Sequence, residues 1–193
     1  MKNKFGKTVK GIQLKIEKGQ LSDLEELFQI YQNGKSELER NGIFQWTDNY
    51  PNISIIETDL MKGVLYTLKN KNEIIGAINI SEEQETEYQS VNWKFDNSKV
   101  LVIHRLVINT KQQRQGYAQR LMDFAESFAR ENNYSSIRLD VYNQNDRVIE
   151  FYKKRDFIIR GDVNFPEREN SFHCMEKEIK EKYKTNYSAK PEK

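Results

Sequence analysis

The chain is poor in residues that staple or ligate. It has one cysteine, Cys174, and two histidines, His104 and His173. A single thiol excludes an internal disulfide framework and a cysteine-based metal cluster. Two imidazoles leave too few donors for a His-rich metal site. Only 3 prolines and 9 glycines occur in 193 residues, which excludes a collagenous or fibrous chain. No long hydrophobic run exists. The most apolar one, residues 100–103, ends at His104 and Arg105, far short of the roughly 18–20 residues of a membrane span. The first residues, Met1-Lys2-Asn3-Lys4-Phe5, lead into no apolar stretch, so no secretory signal is read and a reducing cytoplasm is the expected location. Charge of one sign is also missing. The 31 basic and 29 acidic residues leave a net charge of +2, which gives no bulk-charge argument for nucleic acid.

Bulky core material is present: 10 Phe, 10 Tyr and 2 Trp. A chain of this length makes one domain and can bury about 70% of its unfolded surface without staples. Residues 1–11 read as a frayed basic arm, 12–178 as the domain, and 179–193 as a charged, solvated tail. Alternation over 12–16 predicts a first strand. Ser22 with Glu25 fits a capping box for a helix running to Arg40 and stopping at Asn41-Gly42. A loop rich in aromatics follows, and then a helix over 53–62. Strands are predicted over 64–68 and 74–80, joined by a turn at Asn70-Lys71-Asn72. The acidic segment 81–90 reads as a surface connection. Further strands are predicted over 99–109, 136–142, 157–161 and 171–177, and helices over 115–130 and 146–154. This order predicts an α/β fold of the mixed-sheet kind, with helices on its faces.

The most informative segment is Gln113-Arg114-Gln115-Gly116-Tyr117-Ala118-Gln119. A strand ends, a basic loop turns, and a helix begins at a glycine. Helix N-termini carry unpaired N–H groups and partial positive charge, and so seat phosphates. Lys111, Arg114 and Arg120 add charge at the same mouth. Alone, Gln-x-x-Gly-x-Ala also fits an ordinary strand-to-helix turn. No Gly-Lys-Ser/Thr follows, so this is not the nucleotide P-loop, and one glycine does not make a dinucleotide fingerprint. About thirty residues on stands a second constellation: Asn145, then Phe151-Tyr152-Lys153, then Asp156-Phe157.

Together these two segments resemble the signatures of the GCN5-related N-acetyltransferase (GNAT) superfamily. The first matches Gln/Arg-x-x-Gly-x-Gly/Ala. The second matches an Asn followed by Phe-Tyr, Lys and Gly-Phe, with Asp156 in place of the usual glycine. That glycine would take left-handed geometry, which Asp tolerates better than most residues.

The resemblance implies a central, mostly antiparallel sheet in which a parallel strand pair splays apart to form an acetyl-CoA cleft. Leu106, Val107 and Ile108 would pair with the pantetheine arm through their backbones. Gln113, Arg114, Gln115, Gly116, Tyr117, Ala118 and Gln119 would hold the pyrophosphate, and Asn145 would contact the pantetheine region. Tyr152 would lie near the sulfur as general acid. Implied partners are acetyl-CoA and a small primary amine or amino acid, with no nucleic acid, membrane or metal, in a monomer or homodimer. A peptide acetyltransferase and a non-catalytic CoA-binding module are the alternatives. His104 is a candidate base. Strand alternation sets Val100, Val102, His104, Leu106 and Ile108 on one face and Arg105 on the other. Trp46 and Tyr50 are candidate acceptor-binding residues, and His173 is a candidate for the same pocket. Phe44 reads as a hydrophobic staple, Trp93 as a core anchor and Cys174 as a passive buried thiol.

Overall fold

The computed structural model describes residues 13–95 and 98–180. The predicted arm, residue 12 of the first strand and most of the tail lie outside that range. Seven strands form one sheet: β1 (Leu14–Lys18), β2 (Leu65–Asn70), β3 (Glu73–Ser81), β4 (Val100–Ile108), β5 (Ser136–Tyr142), β6 (Ile158–Val163) and β7 (Phe172–Glu178). Their spatial order is β1-β2-β3-β4-β5-β7-β6. Every pairing is antiparallel except β4 with β5. Four helices cover the faces: α1 (Leu24–Arg40), α2 (Ile53–Lys62), α3 (Tyr117–Glu131) and α4 (Asp146–Lys153). The expected mixed sheet is therefore observed.

Leu27, Ile30, Tyr31, Ile56 and Leu60 of α1 and α2 pack on Leu65, Ile74, Ala77 and Val107 of the sheet. On the other face, Leu121, Met122, Ala125 and Ala129 of α3 and Ile149 and Tyr152 of α4 meet Leu101, Ile103, Ile137, Leu139 and Met175. The middle of β3 is buried on both sides, because helices lie above and below it. A third cluster joins Tyr88, Val91 and Trp93 to Val102, Tyr142, Val163, Phe172 and Cys174. Trp93 is the anchor expected, with its Nε1–H donating to the Tyr88 carbonyl at 2.9 Å. Cys174 is buried, and burial pushes its thiol pKa up.

Several local expectations need correction. The cap before α1 is not Ser22 with Glu25. A short 3-10 turn, Leu21–Asp23, comes first, and the Asp23 carboxylate accepts from the Gln20 N–H at 3.0 Å. Asp23 is then held by Lys69 at 2.9 Å, a partner 46 residues away that no local pattern shows. Segment 81–90 is not only a surface connection. It contains a 3-10 turn, Thr86–Ser90, that buries Tyr88. Phe44 is no staple, since 56% of it is exposed.

The largest correction concerns β4. Its register with β3 slips between Ala77 and Asn79, and Arg105 there has φ +49°. This is a β-bulge, one extra residue that resets the alternation. Leu106 and Ile108 consequently pack with Leu101 and Ile103, whereas Val107 packs against α1 and α2. Leu106 and Ile108 therefore do not share the face of Val102 and His104. Gly76 of β3 stands opposite Ile108, and a Cβ there would meet the Val107 carbonyl at 2.6 Å. The bulge and the glycine are fitted to each other.

Candidate active site

The parallel pairing of β4 and β5 covers only Val100–Ser136, Leu101–Ile137 and Val102–Arg138. Beyond it the strands part. The fork opens into a cleft of about 990 Å³ lined by both strands, by the start of α3 and by α4. Past Val102, β4 keeps its bonds to β3 but none to β5, so one edge of its backbone is released there.

At one mouth stands Gly116, the N-cap of α3, with φ +81°. Arg114 is also left-handed, at φ +62°. Alternating left-handed and helical residues turn successive N–H groups toward one point, a concavity suited to anions. Arg120 N–H is the first to make a helical bond, to the Gly116 carbonyl at 3.2 Å. The N–H groups before it are the orphans of a helix start. A Cβ at Gly116 would meet nothing closer than 3.6 Å. Glycine is required there by the left-handed backbone more than by crowding. Gln113, Arg114, Gly116, Tyr117, Ala118 and Gln119 line the cleft. Gln115 does not; its amide donates to Gln112 at 3.3 Å. Lys111 and Arg120 also stand outside the lining.

Tyr152 enters from α4 through a helix end that sets its position. The Phe157 N–H bonds the Tyr152 carbonyl at 3.1 Å, and Asp156 N–H bonds that of Lys153 at 3.0 Å. Asp156 has φ +65°, the geometry expected for a residue in the glycine's place. This is a Schellman end, whose apolar contact joins C″ to C3. Here that contact is Phe157 on Tyr152, at a 5.5 Å ring separation. Tyr152 is buried and lines the cleft. Burial drives its pKa well above that of an ordinary phenol. No side chain among the described residues bonds its hydroxyl. Asn145 caps α4, its Oδ1 accepting from Val148 N–H at 3.3 Å. Its Nδ2 donates to Gln45 at 3.1 Å, so the loop before α2 is tied to the fork.

The opposite wall rests on Arg105. Its guanidinium holds Asp59 of α2 through Nε at 2.9 Å and Nη2 at 3.0 Å. Its Nη1 donates to the Tyr50 hydroxyl at 2.8 Å, and its carbonyl accepts from Tyr31 at 2.8 Å. Trp46 packs edge-on against Tyr31 at 5.6 Å. Trp46 and Tyr50 both line the cleft, and His173 does not. The sequence reading missed Arg105. Its only signal was a charge interrupting an apolar strand.

His104 faces the cleft with Nε2 held by the Glu83 carbonyl at 3.0 Å. Burial, with the Arg105 charge beside it, lowers its pKa from 6.5 to about 4. Asp140 of β5, also missed, lies across the fork. Tyr88 donates to its Oδ1 at 2.7 Å, and burial raises its pKa to about 6. Its only sequence signal was a charged position in the alternating strand Ile137-Arg138-Leu139-Asp140-Val141.

Comparisons with known proteins agree with this geometry. The family model described as acetyltransferase (GNAT) family matches residues 23–157. An uncharacterized N-acetyltransferase, YesJ, of Bacillus subtilis strain 168 is 25% identical over 145 residues, covering 74% of this chain and 77% of that protein. A GNAT-family acetyltransferase structure from Streptococcus agalactiae superposes with TM-score 0.75 at 19% identity, covering 88% of this chain and 96% of the other. The spermidine N-acetyltransferase of Vibrio cholerae, solved with CoA and spermine, gives TM-score 0.63 at 15% identity, with 86% and 96% covered. Among the described residues, no helix is long and apolar enough to cross a membrane. With the fork, the phosphate-type helix start and the tyrosine all in one cleft, and the family model spanning most of the domain, the chain belongs to the GNAT acetyltransferase family.

Proposed function

We propose that the protein transfers the acetyl group of acetyl-CoA to the primary amine of a small molecule or amino acid. The observation that carries this reading is the fork itself. Two parallel strands part beside the open N–H groups of a helix start, with a phenol at the opening that no side chain among the described residues bonds. The residues fit the donor. The backbone from Gln113 to Gln119 suits a pyrophosphate. The released edge at Leu106, Val107 and Ile108 suits the amide groups of a pantetheine arm by strand-like pairing. Asn145 stands beside that path. Bound there, acetyl-CoA supplies an activated thioester.

Tyr152 keeps its proton at neutral pH, because burial disfavours the phenolate. It is therefore a proton donor for the departing sulfur. Trp46 and Tyr50 form an aromatic wall for the acceptor, fixed by Tyr31 and Arg105. The Vibrio cholerae relative, solved with CoA and spermine, supports a donor and an amine in this fold.

Calorimetric titration with acetyl-CoA tests the donor site. The wild type is expected to bind saturably, and Gly116→Glu is expected not to bind, since a side chain there strains the backbone and a carboxylate repels phosphate. Thiol release across a panel of primary amines tests the chemistry. Tyr152→Phe is expected to lower kcat about 10²-fold with acetyl-CoA affinity unchanged. A folded wild type that binds no acetyl-CoA, or releases no CoA with any amine, overturns the reading.

A further inference from the structure

We infer that Asp140 accepts the proton of the acceptor amine, with Tyr88 holding its carboxylate in place. This assignment rests on the acetyl-transfer reading above. The last rung of the parallel pair is Val102 with Arg138. Two residues further along each strand stand His104 and Asp140, on the same face as Val102. They are the first side chains of that face inside the fork, one on each prong. Tyr152 reaches the same opening from α4, packed on the opposite face of the sheet. A reacting carbonyl between the prongs would therefore have the phenol on one side and these two groups on the other.

The geometry separates the two. His104 spends Nε2 on the Glu83 carbonyl, and Glu85 stands 3.6 Å from its Nδ1. Among the side chains of the described residues, Asp140 is bonded by Tyr88 alone. Tyr88 takes Oδ1, and no side chain among the described residues takes Oδ2. Tyr88 is itself 2% exposed and sits against Trp93. The turn Thr86–Ser90 therefore orients Asp140 and leaves Oδ2 to the cleft. Glu85 lines the same cleft, but its side chain is 40% exposed.

The step balances. An ammonium acceptor gives one proton to Oδ2, which frees the nitrogen pair. That pair forms the C–N bond as the C–S bond breaks, its electrons going to sulfur. Tyr152 gives its proton to the sulfur, and a second nitrogen proton restores the phenol. The products are the acetamide and CoA thiol. Asp140 returns its proton to solvent, one per turnover.

The charged and titratable groups around Asp140 are Glu85 and Tyr88 from the 3-10 segment, His104 and Arg105 of β4, Cys174 of β7, Tyr152 of α4, and Tyr50 and Arg168 from loops. Besides Asp140 itself, Glu85 and His104 are the groups that titrate on the acid side, so an acid limb in the rate profile is tested by replacing each of the three.

The test measures thiol release with saturating acetyl-CoA and two probes, ethylamine and 2,2,2-trifluoroethylamine. The fluorines make the second far less basic, so it arrives as the neutral amine. Asp140→Asn is expected to lower kcat about 10²-fold with ethylamine and under about tenfold with the fluorinated amine. The acid limb of kcat/KM should vanish in Asp140→Asn and persist in Glu85→Gln and His104→Gln, with acetyl-CoA affinity unchanged in all three. Asp140→Glu should recover most of the rate, and it carries the test should the Asn variant fail to fold. An Asp140→Asn enzyme within about threefold of wild type, or one equally slowed with both amines, overturns the assignment of Asp140 alone. A wild type that binds acetyl-CoA yet releases no thiol with either amine overturns the assignment and the transfer reading together.

Discussion

The two sides of the fork are built by different means. The α3 side offers backbone: N–H groups of a helix start, set by left-handed conformations at Arg114 and Gly116. The α2 side offers side chains: Arg105 clamped by Asp59, with Tyr50, Trp46 and Asp140 around it. A backbone site depends on the local run of residues and tolerates most side chains. A side-chain site depends on partners far apart in sequence. Asp59 and Arg105 are 46 residues apart, and Tyr50 and Arg105 are 55. On the acetyl-transfer reading proposed above, donor recognition can thus persist while the acceptor wall changes.

The sharpest way to break this contrast is Arg105→Met. It leaves the Asp59 carboxylate, whose side chain is 9% exposed, without its charge partner. Loss of one member of such a buried pair costs about 3–5 kcal/mol, readable by urea unfolding. Acetyl-CoA affinity of the folded fraction should stay unchanged, because the α3 mouth is untouched.

Asp140→Asn comes next, in the opposite direction. The Asp140 pKa is raised from 3.8 to about 6, so the fold favours its protonated form. The stability this gives is complete below pH 3.8 and is lost as pH rises through 6. Asparagine should therefore stabilise the protein by about 3 kcal/mol at pH 8 and by about 0.5 kcal/mol at pH 4. Denaturant midpoints at the two pH values check this.

Tyr50→Phe removes one bond to a charged group and should cost about 1.5 kcal/mol. It should raise the acceptor KM while leaving acetyl-CoA binding alone. The smallest effect is Asp156→Gly. It relieves a left-handed aspartate and should stabilise by about 0.5 kcal/mol, seen as a slightly higher Tm. A larger change in kcat would show that this helix end sets the Tyr152 position more tightly than packing alone.

The contrast also explains what was legible in the sequence. The signatures at Gln113–Ala118 and Asn145–Phe157 are local, because helix starts and ends are written in adjacent residues. The Asp156 substitution was readable for the same reason. The succession of strands along the chain followed from hydrophobic spacing; their order in the sheet, with β7 between β5 and β6, did not. Arg105 was assigned to the wrong face, because period-two alternation carries no mark of a bulge. Tyr88 was read as surface, since an acidic stretch hides a single buried ring. Asp140 passed unnoticed, because an acid in a strand ordinarily points to solvent, and only the fork turns that position inward.

The bulge at Arg105 has a further meaning for β4 as a line of text. A regular strand lets a given face read every second letter. The extra residue shifts the frame, so that His104 and Arg105, which are neighbours in the chain, are both read from the cleft. Leu106 onward then resumes in the other frame. Forcing Arg105 back into regular alternation would misspell everything after it: the apolar side chains of Leu106 and Ile108 would exchange faces with Val107. Arg105 is thus an inserted letter: it adds a side chain to the cleft and leaves the reading on either side of it intact.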